Sequence, residues 1–293
     1  MADMQLSPET EKQVLASQKN EITEYHIYTR LAEAEKNPNN NTILTEIAQD
    51  ELKHYEFWKK YTGRDIEPDQ LKIFRFYFIA RVLGLTFGIK LMEKGEEQAQ
   101  ATYERIAAEI PEAKQVIEDE DSHENELLNI LNEEKLEYVG SMVLGMNDAL
   151  VELTGALAGL TLALQNTHLI ALTGGITGIA ASLSMAASEY LSKKSEDGDK
   201  SPVKASLYTG GAYVITVVLL IFPYLLFSNY FICLGIALLN SVVIIFIFTF
   251  YISIAQDLSF WKRFCEMAGI SLGVACVSFV IGFAIRHIFG IEV

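Results

Sequence analysis

The chain has 293 residues, room for two domains of ordinary size. Its charge is split: residues 1–137 hold 16 of the 23 Lys and Arg but 29 of the 38 Asp and Glu, while residues 138–293 hold few charges of either sign. An acidic first part excludes a nucleic-acid binder and favours cations as partners, and a long charge-poor second part points to a membrane domain and lipid. The three cysteines, Cys233, Cys265 and Cys276, form no C-x-x-C pair, which excludes a zinc knuckle and a readable disulfide framework.

Four helical segments are predicted before residue 137. The first spans Pro8 to Lys36, and the Asn37–Asn41 run (NPNNN) is expected to be a loop. The second spans Thr42 to Tyr61, closed by Thr62–Pro68. The third spans Gln70 to Ile110. Its apolar stretch 73–92 reads as a buried bundle helix, because Arg75, Arg81 and Lys90 interrupt it and charges in mid-bilayer are unfavourable. A helix lying on the bilayer surface is the alternative reading of this stretch. The fourth segment starts at Pro111, suited to a first helical turn, and runs to Glu134.

From Tyr138 onward five apolar stretches follow, 138–164, 168–191, 205–228, 230–255 and 266–289. Each is long enough to cross about 30 Å of hydrocarbon. The loop after the second carries four lysines and the loop after the fourth carries Lys262 and Arg263. The loops after the first and third carry neither Lys nor Arg. The positive-inside rule therefore predicts that residues 1–137 and these two basic loops face the cytoplasm and that the carboxy terminus lies outside. The polar run MADMQLSPETEKQ, without an apolar core of a signal peptide, agrees with a cytoplasmic first domain. The expected architecture is all-α: a four-helix bundle over 1–137 followed by a five-helix transmembrane bundle over 138–293.

Two predicted helices carry Glu-x-x-His: Glu51 with His54, and Glu120 with His123. Residues at i and i+3 share a helix face. The other two helices supply Glu21, seven residues before Tyr28, and Glu96, seven residues before Tyr103. Glu97 is the alternative to Glu96, though out of phase with Tyr103. Carboxylates and imidazoles alternating over four helices suit a di-iron site, since carboxylates bridge two metals and burying them without a cation is very unfavourable. Glu24 and His26 lie off the pattern and read as surface or supporting residues.

This part resembles the rubrerythrin branch of the ferritin-like superfamily, over residues 8–135. The resemblance implies an iron cofactor held by Glu21, Glu51, His54, Glu96, Glu120 and His123, with Glu93 as a further ligand in Glu93-Lys-Gly-Glu96. The rubredoxin module of many such proteins is missing, so a ferroxidase or peroxidase activity is an alternative to a role in collecting or sensing iron.

In the membrane part, Asp148 and Glu152 share one face of the first span, and Met185 and Glu189 share one face of the second. Intramembrane carboxylates are functional candidates by default, and a thioether among them suits a labile divalent transition metal. Glycines at four-residue spacing, Gly155/Gly159, Gly174/Gly178 and Gly269/Gly273, permit close helix contact. Pro223 is expected to kink the third span.

Segments GMND (145–148) and SMAASEY (184–190), with the five-span layout, resemble the vacuolar iron transporter family. That resemblance implies export of ferrous iron in exchange for protons, manganese as a competing ion, and a homodimer with Asp148 and Met185, together with Glu152 and Glu189, along the path. The family's acidic insert between spans two and three is reduced here to Ser192–Lys204. The fusion resembles the membrane-bound ferritin type, in which the bundle would collect metal for the transporter.

Overall fold

The computed structural model describes residues 6–94, 106–107, 109–114, 116, 138–196, 201–256 and 258–289, the side chains of Glu93 and Phe289 excepted. The regular secondary structure among the described residues is helical. The chain divides into two compact units, Met1–Glu133 and Glu134–Val293.

In the first unit, α1 (Pro8–Ala34) and α2 (Pro38–Thr62) pair along their length. Each begins with a side-chain cap followed by proline: Ser7 Oγ accepts from the Thr10 amide, and Asn37 Oδ1 accepts from the amides of Asn39 and Asn40. Both devices satisfy amides that a helix start leaves without partners. The NPNNN run is therefore not a loop. Asn37 caps α2 and Pro38 is its first residue, because proline at that position gives up no helical hydrogen bond. Gly63, at φ +68°, ends α2 in the left-handed conformation that glycine adopts without strain.

The long third helix is not continuous. It breaks at Gly84 (φ +117°) into α3 (Gln70–Leu83) and α4 (Leu85–Glu93). The chain turns so sharply that a Cβ on Gly88 would stand 2.6 Å from that of Ala80, so both glycines are needed for α4 to fold back on α3. Nor is α3 a buried helix. Ile73, Phe76 and Ala80 enter a core with Ile27, Leu31, Leu44 and Ile47, but Leu71, Phe74, Phe78 and Val82 are exposed. A second core joins Val14 and Trp58 to Ile106, Ile110, Ala113 and Val116. Most of the predicted fourth helix lies outside the described residues.

The second unit comprises α5 (Val139–Leu164), α6 (Thr167–Ser195), α7 (Pro202–Leu226), α8 (Tyr230–Ala255) and α9 (Phe260–Phe289), each long and apolar enough to cross a membrane. The last begins six residues earlier than the apolar pattern predicts. Helix α5 is central and packs against the other four. Gly145 lets α7 approach so closely that a Cβ there would lie 2.2 Å from the Thr209 carbonyl oxygen. Gly155 and Gly159 face Val274 and Ser278 of α9, and Gly178 faces Val217 of α7. Gly269 and Gly273 face open space, so that predicted contact is not made among the described residues.

Helix α7 runs through Pro223. Proline has no amide hydrogen and cannot donate to the Leu219 carbonyl one turn earlier. Asn240 Nδ2 of α8 donates to that oxygen at 3.0 Å. A polar side chain in an apolar span thus supplies the hydrogen bond that the proline removes.

Candidate metal centre and intramembrane carboxylates

The predicted ligands Glu21, Glu51 and His54 come together. All three are buried, and one donor atom from each lies within 4.8 Å of the other two. Among the described residues no other group of three or more His, Cys, Asp or Glu is so arranged. The pairing of α1 with α2 sets Glu21 opposite the Glu51/His54 face. His54 Nδ1 stands 3.9 Å from Glu21 Oε2 and 4.0 Å from Glu51 Oε2. Bonds to nitrogen and carboxylate oxygen of about 2.0–2.2 Å, as for zinc, let two donors on one ion lie up to ~4.4 Å apart. Both separations fit a single ion, and two carboxylates with one imidazole suit iron or manganese.

Trp58, one turn after His54, donates its indole N–H to Glu21 Oε1 at 2.9 Å. This partner was not singled out in the sequence, although its i+4 relation to His54 puts it on the same face. Glu24 is not a surface residue: it is buried and paired with Lys72 Nζ at 2.8 Å, which ties α1 to α3. His26 is half-buried, its ring 5.0 Å from that of Tyr25. The backbone of Glu93 ends α4, while Glu96, Glu120 and His123 lie outside the described residues. The structure therefore brings three of the predicted ligands together in one buried group.

The four candidates in the membrane unit fall on two levels. Asp148 is half-buried on α5. Glu152, one turn further, is exposed on the surface of the chain at the middle of the span, and its Oε2 accepts from the Tyr213 hydroxyl of α7 at 2.8 Å. Met185 is half-buried against the cluster containing Ala149, Leu153 and Tyr213. Glu189 is buried and accepts from Ser141 Oγ at 2.6 Å, while the Ser141 carbonyl accepts from Thr209 Oγ1 at 2.9 Å. Ser141 and Glu152 are eleven residues apart on α5, about 16 Å at 1.5 Å per residue. Glu189 thus does not join Asp148 and Glu152 in one chain; it sits near the start of α5 and the end of α6. Tyr213 and Ser141 were not singled out in the sequence. Helix α5 also presents Asn147, beside Asp148, to a cavity of about 190 Å³ walled by α8 and α9, with Thr249, Gln256, Arg263 and Glu266 on its lining.

Five membrane-length helices make this an integral membrane protein. Residues 139–198, which span α5 and α6, match the sequence profile of the VIT family. The match and the five apolar helices support a vacuolar iron transporter-like membrane unit, in a family that points to membrane transport of metal ions. Searches of curated proteins and of solved structures return no match to the chain.

Proposed function

We propose that the protein exports ferrous iron from the cytoplasm in exchange for protons, with manganese as a competing cargo. The observation that carries this reading is Glu152. It is exposed at mid-span next to half-buried Asp148, within the segment that matches the VIT family. A carboxylate facing hydrocarbon there would be strongly unfavourable, so its face is expected to line a wet path covered by a second copy. Asp148 and Glu152 bind the cation, Met185 adds a soft ligand from α6, and Glu189 forms a second station one level away. Protons returning to these carboxylates would restore the empty carrier.

In the same proposal, residues 1–137 form a cytoplasmic ferritin-like domain that collects, senses or oxidises iron. Glu21, Glu51 and His54 would hold one ion, and Glu93, Glu96, Glu120 and His123 are assigned to complete a di-iron site. Iron bound there would supply redox chemistry. The chain's own part is to present three donors, to keep bulk water out through Val14 and Trp58, and to fix the Glu21 carboxylate with the Trp58 indole.

Ferrous uptake into proteoliposomes tests the transport reading. Asp148→Ala is expected to abolish uptake in vesicles where the wild-type chain carries iron and acidifies the opposite side. Undiminished uptake by this variant would remove Asp148 from the path. Steady oxygen consumption by the full chain without any metal flux would instead favour a membrane-anchored ferroxidase.

A further inference from the structure

Helix α3 presents two apolar faces. Ile73, Phe76 and Ala80 are buried in the core of the first unit, whereas Leu71, Phe74, Phe78 and Val82 are 76, 63, 56 and 52 % exposed. At about 100° per residue the four exposed side chains fall within an arc of ~80°, opposite the buried three. The stripe is continuous and aromatic, unlike the single apolar residues that any protein surface carries. Phe74 and Phe78 stack on each other at 6.3 Å along it.

The charges around the stripe say what covers it. Although residues 1–137 are strongly acidic, α3 has no Asp or Glu between Gln70 and Leu83. Arg75 and Arg81 are exposed and fall on opposite rims of the stripe. The guanidinium of Arg75 lies 4.8 Å from the Phe76 ring, and that of Arg81 reaches the Ala34 carbonyl at the end of α1. The basic residue away from the rims, Lys72, is held by buried Glu24. Apolar side chains on one face with arginines at both edges fit an interface of acyl chains and anionic headgroups, where arginine stems lie along the apolar layer and their heads reach phosphate. The same chain carries five membrane-length helices, so it is anchored in such a surface.

We infer that α3 is an in-plane membrane helix: its Leu71–Phe74–Phe78–Val82 stripe enters an anionic phospholipid surface, with Arg75 and Arg81 on the phosphates. The buried face of α3 meets α1, which carries Glu21, and Glu24 ties the two helices. Docking would therefore hold the Glu21–Glu51–His54 cluster at a fixed height above the bilayer.

The test uses the full chain in nanodiscs with Cys233, Cys265 and Cys276 replaced by serine. A bimane label goes on Phe78→Cys, and a reference label on Glu46→Cys, an exposed site on α2. In discs of phosphatidylcholine with phosphatidylglycerol, the label at 78 is expected to be quenched by doxyl lipid and shielded from iodide, and the label at 46 the reverse. Arg75→Glu with Arg81→Glu, or discs of phosphatidylcholine alone, should reduce lipid quenching at 78 to the level seen at 46. Equal iodide access at both sites overturns the inference. So does a label at 78 shielded from both quenchers whatever the lipid, since a second copy or another segment of this chain would then cover the stripe.

Discussion

In the amino-terminal unit, two glutamates and a histidine from α1 and α2 approach within 4.8 Å of one another inside a helical core. In the membrane unit, Glu189 stays on a different level from the Asp148/Glu152 pair, and Glu152 and Glu189 are held by hydroxyl groups of Tyr213 and Ser141. The surrounding medium accounts for the difference. A water-facing bundle can bury acids only where a cation or firm hydrogen bonds offset their desolvation, so its ligands converge. In the membrane spans Glu152 and Glu189 are each steadied by a nearby neutral donor, and in the proposed dimer full coordination would await the cargo and a second copy. The first arrangement suits retention of an ion and the second suits its release.

If retention and release are separate, the largest effect should come from stripping the converged site. Glu51→Gln combined with His54→Ala is expected to weaken iron or manganese binding to the full chain by more than about 100-fold, beyond the range for losing a supporting residue. Uptake at saturating iron should remain, because Asp148 and Glu152 are untouched. Isothermal titration alongside vesicle flux reads both. A parallel collapse of saturating flux would join the two regions into one obligatory path and break the comparison.

Trp58→Phe is a finer probe. It keeps the ring in the core with Val14 and Ile106 but removes the N–H that orients Glu21. Loss of one such supporting bond is expected to lower metal affinity roughly tenfold. Unchanged affinity would mean that the cluster holds its geometry through the ligands alone.

The two regions also differ in how much of them could be read from sequence. The five spans were legible because lipid demands about twenty apolar residues in succession, and four of the five helices start within about three residues of their predicted positions. Glu51 and His54 were legible because i, i+3 spacing fixes a helix face before any packing is known, and Glu21 from its place seven residues before Tyr28 on the preceding helix. What stayed hidden depends on tertiary contact. Nothing local says that Gly84 breaks a helix and sends α4 back along α3, because isolated glycines are tolerated in helices. The apolar run 73–92 looked buried since hydropathy does not separate a core face from a second exposed apolar face. Tyr213 and Ser141 hold their partners across sixty-one and forty-eight residues, separations that no motif encodes.

A smaller effect is expected where the membrane unit repairs its own backbone. Asn240→Leu would leave the Leu219 carbonyl without its donor, at about 1 kcal/mol for an interhelical hydrogen bond in a membrane protein. Thermal unfolding in detergent should shift down by a few degrees, roughly 2–4 °C per kcal/mol for a unit of this size. Pro223→Ala in the Asn240→Leu background restores an amide that can donate to Leu219, so most of the shift should return. No recovery would mean that Asn240 acts through packing and not through that oxygen.

The smallest effect should be found at an acid in water, the counterpart of the buried three. Glu109 accepts from the Ser7 amide at 3.0 Å, the Thr10 hydroxyl at 2.7 Å and the Ser7 hydroxyl at 2.9 Å. The Ser7 amide above all, then Thr10 and the Ser7 hydroxyl, hold its carboxyl below the ordinary 4.5. Because the folded value is the lower one, this clasp is complete above pH 4.5 and is lost as pH falls through the lowered value. Hydrogen exchange at the Ser7 amide, corrected for its intrinsic pH dependence, should accelerate in that window and nowhere above it. Glu109→Gln should remove the pH dependence while keeping part of the protection, since an amide oxygen still accepts. Exposed to solvent, the clasp should leave both metal affinity and flux unchanged. A pH transition at Ser7 that also moved metal binding would show that the start of α1 communicates with the buried site about half a helix length away.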